Sequence, residues 1–120
     1  MLQITPKHKI FVATHAVDFR RGIDGLASCC RQQWQLDPMT GHVFLFHNKK
    51  RTALKLLAYD SQGYWLCQKR LSRGSFKYWP SSPYSVVTLS IAQLQALLYN
   101  ADPSLIDTPV FKPLPDEDCI

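Results

Sequence analysis

Residues 42–71, HVFLFHNKKRTALKLLAYDSQGYWLCQKRL, decide the fold because three apolar runs are separated here by two polar turns. The runs occupy 42–47, 53–59 and 64–71, and each has the length and apolar content of a β-strand. Because the intervening segments NKKRT and DSQG are short turns, consecutive strands are expected to pair antiparallel in a meander. The first run has apolar side chains on both faces, which predicts a central strand.

A helix is predicted upstream of this meander. Its apolar positions fall at i, i+3, i+4, i+7 and i+11, and they are Ile23, Leu26, Ala27, Cys30 and Trp34. The helix is expected to end before Pro38, since the residue preceding a proline is pushed out of the α region. A first strand at residues 9–14 precedes the helix.

A second helix is predicted downstream. Ser90 and Gln93 form an S-x-x-Q capping box, and Leu89 and Leu94 occupy the two positions of a hydrophobic staple. Residues 86–88 form an expected edge strand just before it. The sequence therefore predicts an α+β fold, with one helix packed on an antiparallel meander of three to five strands and a second helix near the C-terminus.

The chain divides into one domain, residues 1–101, and an acidic tail, residues 102–120. The tail contains four of the eight prolines and five of the nine acidic residues. This composition predicts an extended or disordered segment.

The charge is unevenly distributed. Residues 1–80 carry 13 Lys and Arg against 4 acids, a net charge of +9, whereas residues 81–120 carry one Lys against 5 acids, a net charge of −4. A basic body of this kind attracts polyanions, of which nucleic acid is the commonest in the cytosol. An acidic protein partner, or a charge that serves only solubility, is the alternative.

The sequence predicts no catalytic constellation, metal site or cofactor. A metal-dependent nuclease would need converging carboxylates, but Asp18, Asp24, Asp37 and Asp60 each lie at a turn or a helix start. The four cysteines lack zinc or disulfide spacing. No apolar run reaches the length of a membrane span, and the N-terminus lacks a signal-peptide pattern, so the expected location is the cytoplasm.

Ten cations form the predicted DNA-binding surface. They are Arg20, Arg21, Lys49, Lys50, Arg51, Lys55, Lys69, Arg70, Arg73 and Lys77. Lys55 and Lys69 are expected to lie near each other across a hairpin, so that up to seven cations occupy one end of the sheet and neutralise several phosphates. A solvated charged hairpin that blocks aggregation is the alternative.

Aromatic residues follow the last basic strand. Phe76, Tyr78 and Trp79 are interleaved with cations and are candidates for stacking on unpaired bases. The alternative is a loop that folds back and covers the sheet.

Three segments resemble a known family. DFRRGIDGL at 18–26, LDPMTGHVFLF at 36–46 and KRLSRG at 69–74 are similar, in order and spacing, to the TnpB accessory proteins of the insertion sequence 66 transposon family. The resemblance implies a small bacterial protein encoded beside a separate transposase, needed for transposition and without established catalytic activity. It also implies that Arg20-Arg21-Gly22, the basic turn at 48–51 and Lys69-Arg70-Leu71 are recurrent family segments.

These observations predict a noncatalytic accessory factor in DNA transposition that binds DNA, the transposase or both. The first alternative is a protein adaptor for the transposase with no DNA contact, and the second is a cryptic nuclease. The charge division further suggests that the acidic tail folds over the basic hairpin as an internal mimic of DNA.

Overall fold

The computed structural model describes residues 8–102, so residues 1–7 and almost all of the predicted acidic tail lie outside it. The strands are β1 (Ile10–Ala13), β2 (Val43–His47), β3 (Ala53–Tyr59), β4 (Tyr64–Arg70) and β5 (Val86–Leu89). The helices are α1 (Ile23–Trp34) and α2 (Ile91–Leu98), with a short 3-10 turn at Pro38–Thr40. These bounds confirm the predicted α+β fold.

The five strands form one sheet in the order β4-β3-β2-β1-β5. Strands β2, β3 and β4 are the predicted antiparallel meander, in which Leu45 lies opposite Leu56 and Leu57 opposite Leu66. Strand β1 pairs parallel to β2, a pairing that the sequence analysis did not predict. Helix α1 lies between these two strands and returns the chain to the starting end, as a parallel connection requires.

Helix α1 covers one face of the sheet. Leu26, Cys30 and Trp34 are buried against Phe44 and Phe46, and the Trp34 ring stacks on Phe46 with 5.5 Å between centroids. Aromatic contacts of this kind add specific geometry to the burial of apolar area. The predicted apolar stripe of α1 is therefore the surface that packs on the sheet.

Helix α2 covers part of the opposite face. Leu94 and Leu97 pack in a core with Ile10, Val12 and Leu45. The predicted capping box begins this helix: Gln93 N–H donates to Ser90 Oγ at 3.2 Å, and Ser90 N–H donates to Gln93 Oε1 at 2.9 Å.

The loop that follows β4 completes this second face, which corrects one prediction. Phe76 is 1% exposed and Trp79 5% exposed, so neither ring is available for stacking on bases. The Trp79 indole N–H donates to the Ala13 carbonyl at 2.6 Å. With only eight residues, α2 is about 12 Å long. The Phe76 and Trp79 rings pack beside it and cover more of the same face of the sheet.

Replacing Trp79 with Leu is expected to destabilise the protein by about 3 kcal/mol, because it leaves a cavity and removes the indole donor to the Ala13 carbonyl. Urea unfolding followed by circular dichroism measures the change. DNA affinity of the folded variant should equal that of the wild type, and a selective loss of affinity without loss of stability would show that the ring is a binding residue.

Candidate nucleic-acid interface

The strand directions bring three loops to one end of the sheet. Because β1, β2 and β4 run one way and β3 and β5 the other, residues 14–22, 48–52 and 71–85 all lie at this end. We call it the basic end. Backbone hydrogen bonds join the loops: Val17 N–H donates to the His47 carbonyl and Thr14 N–H donates to the Ser85 carbonyl.

Eight of the ten predicted cations lie at the basic end. They are Arg20, Arg21, Lys49, Lys50, Arg51, Arg70, Arg73 and Lys77. All are exposed except Arg51, which is half-buried. The described acidic residues at this end are Asp18, Asp24 and Asp102. The basic end therefore carries a clear excess of positive charge, which attracts anions.

One of these cations is already paired. Arg20 Nη2 lies 2.7 Å from Asp18 Oδ2, and Arg20 Nε also donates to the same carboxylate. This contact lowers the pKa of the Asp18 carboxyl to about 2, mainly through the side-chain hydrogen bond. Because the pair is exposed, it adds little stability. Arg21 therefore presents more uncompensated charge than Arg20.

The β2–β3 turn is held by Asn48. Its Oδ1 accepts hydrogen bonds from the backbone N–H groups of Thr52 and Ala53, and its Nδ2 donates to Thr52 Oγ1. Lys49 and Lys50 project from this fixed turn into solvent. The turn is thus a rigid support for two exposed ammonium groups.

The segment after β4 is tied to the same turn. Leu71 N–H donates to the Thr52 carbonyl at 2.9 Å, and Phe76 N–H donates to the Arg51 carbonyl at 2.7 Å. The Asn100 side chain bonds to the Ser75 carbonyl and the Lys77 N–H. These contacts hold the segment that carries Arg73 and Lys77 against the folded body.

The structure corrects the expected role of Lys55. Its side chain is 7% exposed, and its ammonium donates to the carbonyls of Phe19 at 2.9 Å and Arg21 at 3.0 Å. The ammonium also lies 4.9 Å from the centroid of the Phe19 ring. Lys55 therefore holds the loop that carries Arg20 and Arg21, instead of facing a ligand.

Lys55 and Lys69 do not face each other, which corrects a second expectation. Lys55 lies opposite Gln68 in the register, and Lys69 lies opposite Leu54. Neighbouring positions on a strand point to opposite faces, so the two ammonium groups lie on different sides of the sheet. The Lys69 ammonium donates to the Leu98 carbonyl at the end of α2 and lies 5.3 Å from the Tyr99 ring.

The aromatic side chains exposed at the basic end differ from those predicted. Of the three predicted stacking residues, only Tyr78 is exposed. Tyr84 and Tyr99 are exposed at this end as well and were not predicted. Tyr99 lies near the end of the predicted second helix, where its exposure follows from the helix face, but nothing in the loop sequence distinguishes Tyr84 from a buried ring.

The four candidate carboxylates are divided between the two ends of the sheet. Asp18 and Asp24 lie near the basic end, while Asp37 caps the 3-10 turn and Asp60 closes the β3–β4 turn at the opposite end. The Trp65 indole bond to Asp60 lowers the pKa of that carboxyl. Within residues 8–102, no three His, Cys, Asp or Glu side chains are placed to hold a metal ion.

The buried titratable side chains His47 and Cys30 are packed in the core. Burial lowers the pKa of the His47 imidazole, which contacts the Trp79 ring at 4.7 Å between centroids. Burial raises the pKa of the Cys30 thiol to about 12, so this cysteine stays protonated and unreactive. Cys119 lies outside the described residues.

The fold and this surface define a small α+β domain with an excess of positive charge at one end of its sheet. The family described as IS66 Orf2 like protein matches residues 8–106, and the chain belongs to this family. Membership implies an accessory role for the insertion element. Neither helix described here is long and apolar enough to cross a membrane.

Two proteins of Sinorhizobium fredii (strain NBRC 101917 / NGR234) are similar to the chain. The uncharacterized protein y4hO is 36% identical over 94 residues, which cover 78% of this chain and 81% of the relative. The uncharacterized protein y4jC is 38% identical over 72 residues, covering 60% and 62% of the two chains. No solved structure matches.

Replacing Lys55 with Met is expected to cost about 1–3 kcal/mol, since the Phe19 and Arg21 carbonyls lose their donor. Chemical unfolding measures the cost. The salt dependence of DNA binding should stay unchanged, because the ammonium is not on the surface. A reduced salt slope with unchanged stability would contradict this placement of Lys55.

Proposed function

We propose that the basic end binds DNA and that through this contact the protein acts as a noncatalytic accessory factor in transposition of its insertion element. The observation that carries the proposal is the convergence of eight cations on one end of the sheet, seven of them from three separate loops and Arg70 from the end of β4. Lys and Arg that contact phosphates release condensed counterions, which gives affinity without requiring base recognition.

The size of the basic end suits several phosphates at once. Five strands at about 4.8 Å spacing make it roughly 19 Å wide. Over that length duplex DNA carries about eleven phosphate charges, one per ~1.7 Å of helix axis. Several cations can therefore meet phosphates simultaneously.

The fixed backbone of the loops further supports the proposal. Asn48 braces the β2–β3 turn, and the Lys55 ammonium braces the loop carrying Arg21. Loops that are already ordered before binding lose less conformational entropy on binding, so more of the electrostatic attraction appears as affinity.

The transposase is a second proposed partner. An accessory role for the insertion element is compatible with such a partner, and an acidic surface on it would engage the same cations. If the transposase alone were the partner, DNA would not bind at low salt. DNA binding across a salt series therefore separates the two proposals.

Replacing Lys49 and Lys50 with Ala is expected to reduce the salt slope for duplex DNA. The wild-type log-log slope should lie near −3 to −6, for about four to seven phosphate contacts, and each lost contact removes about 0.9 from its magnitude. Fluorescence anisotropy between 50 and 200 mM salt, roughly the range over which such contacts are strongly screened, measures both slopes.

The matched control is the double replacement of Lys9 and Arg31 with Ala. It removes the same charge from the opposite end, where Lys9 precedes β1 and Arg31 lies in the last turn of α1. This control should keep the wild-type slope. Equal loss of slope in both variants would show that net charge, and not the basic end, determines binding.

A further prediction concerns the acidic tail, residues 102–120, which carries five acids and one Lys. Asn100, just before them, is bonded to Ser75 and Lys77 of the basic end. We propose that this acidic segment competes with DNA for the cations. Deleting residues 102–120 should tighten DNA binding, and so should the full-length triple variant Asp116→Asn, Glu117→Gln, Asp118→Asn, which removes three negative charges. Unchanged affinity of both variants would contradict the competition.

A further inference from the structure

The basic end presents aromatic rings as well as cations. Among the described residues five large apolar or aromatic side chains are exposed, namely Met39, Trp65, Tyr78, Tyr84 and Tyr99. The three tyrosines lie at the basic end, and Tyr84 and Tyr99 are 74% and 79% exposed. Met39 and Trp65 lie at the opposite end, in the 3-10 turn and near the start of β4.

Tyr84 is held by its backbone while its ring faces solvent. The Tyr84 carbonyl accepts a 2.7 Å hydrogen bond from Thr14 Oγ1, and its N–H donates to Ser82 Oγ at 3.1 Å. The next residue, Ser85, lines a small polar cavity together with His15 and Arg21. The Tyr84 backbone is therefore fixed beside the loop that carries Arg20 and Arg21, and the ring is exposed from this position.

Tyr99 lies beside one cation at the end of α2. The Lys69 ammonium lies 5.3 Å from the centroid of its ring, close enough for a cation–π contact. Asn100, the next residue, is bonded to the segment that carries Lys77. At 79% exposure most of the ring surface stays open to a flat partner.

Contacts with phosphates require cations but do not require the exposed tyrosine rings that lie among them. In a duplex the faces of the bases are stacked on one another, whereas an unpaired base offers its face to an aromatic ring. Cations that follow a backbone and rings that receive bases are the two parts of a single-strand binding surface.

We propose that the basic end binds single-stranded DNA, with Tyr84 and Tyr99 stacking on unpaired bases while the neighbouring cations contact the phosphates. This inference rests on the proposed DNA-binding function and specifies its substrate. Tyr78, between Lys77 and the buried Trp79, is a third ring on the same surface.

The test measures binding of the full chain to three labelled probes: an oligothymidine, a duplex of equal length and an abasic strand with the same number of phosphates. Tyr84→Ala and Tyr99→Ala should each weaken oligothymidine binding about tenfold, the scale of one lost base stack. Both variants should bind the duplex and the abasic strand as the wild type does. Tyr84→Phe and Tyr99→Phe should retain oligothymidine binding, because they keep the ring.

The control is Trp65→Leu, which removes an exposed aromatic ring from the opposite end and should leave all three affinities unchanged. If the tyrosine variants bind oligothymidine as tightly as the wild type while all probes bind, the stacking proposal is overturned and the DNA-binding proposal stands. If no probe binds at low salt, both proposals fail. Circular dichroism of each variant shows that it is folded.

Discussion

Strand β2 has all five of its residues buried, with Val43 and Leu45 in one core and Phe44 and Phe46 in the other. A strand buried on both faces must also satisfy its backbone groups on both edges, because unpaired buried N–H and C=O groups are costly. Here β1 and β3 supply that pairing. Their opposite directions determine which strand ends meet, and hence which loops form the basic end.

The surface that results combines buried support with exposed charge. The buried Lys55 ammonium donates to two loop carbonyls. Lys49 and Lys50, by contrast, lie exposed in a turn that the Asn48 side chain stabilises. One of the ten predicted cations therefore stabilises a loop instead of contacting a ligand. The proposed binding function rests on these exposed cations and on the accessory role that membership of the IS66 Orf2-like family implies.

The sequence predicted those features that depend on local pattern. The three meander strands, the apolar stripe of α1 and the Ser90 capping box each depend on residues close together in the chain, and all are present. The parallel β1–β2 pairing was not predicted, although the predicted order of strand, helix and strand is the one that a parallel connection uses. The faces of the sheet on which Lys55 and Lys69 lie could be assigned only from the strand register, because a shift of one residue moves every side chain to the other face.

The aromatic loop shows the same limit. In the sequence, Phe76 and Trp79 resemble base-stacking residues because they lie beside Lys77. In the structure they are buried in the core, where they cover the part of the sheet face that α2 does not reach. That area is known only once the helix is placed. The most exposed aromatic rings of the basic end are those of Tyr84 and Tyr99.

An NMR titration of the isotope-labelled full chain with unlabelled DNA tests the central claim most directly. Amide chemical shifts should change at residues 14–22, 48–52 and 71–85, the three loops of the basic end, and these changes should become smaller together as salt is added. Changes centred on residues 37–42 and 59–64 at the opposite end, or no changes at low salt, would contradict the assignment of the basic end as the binding surface.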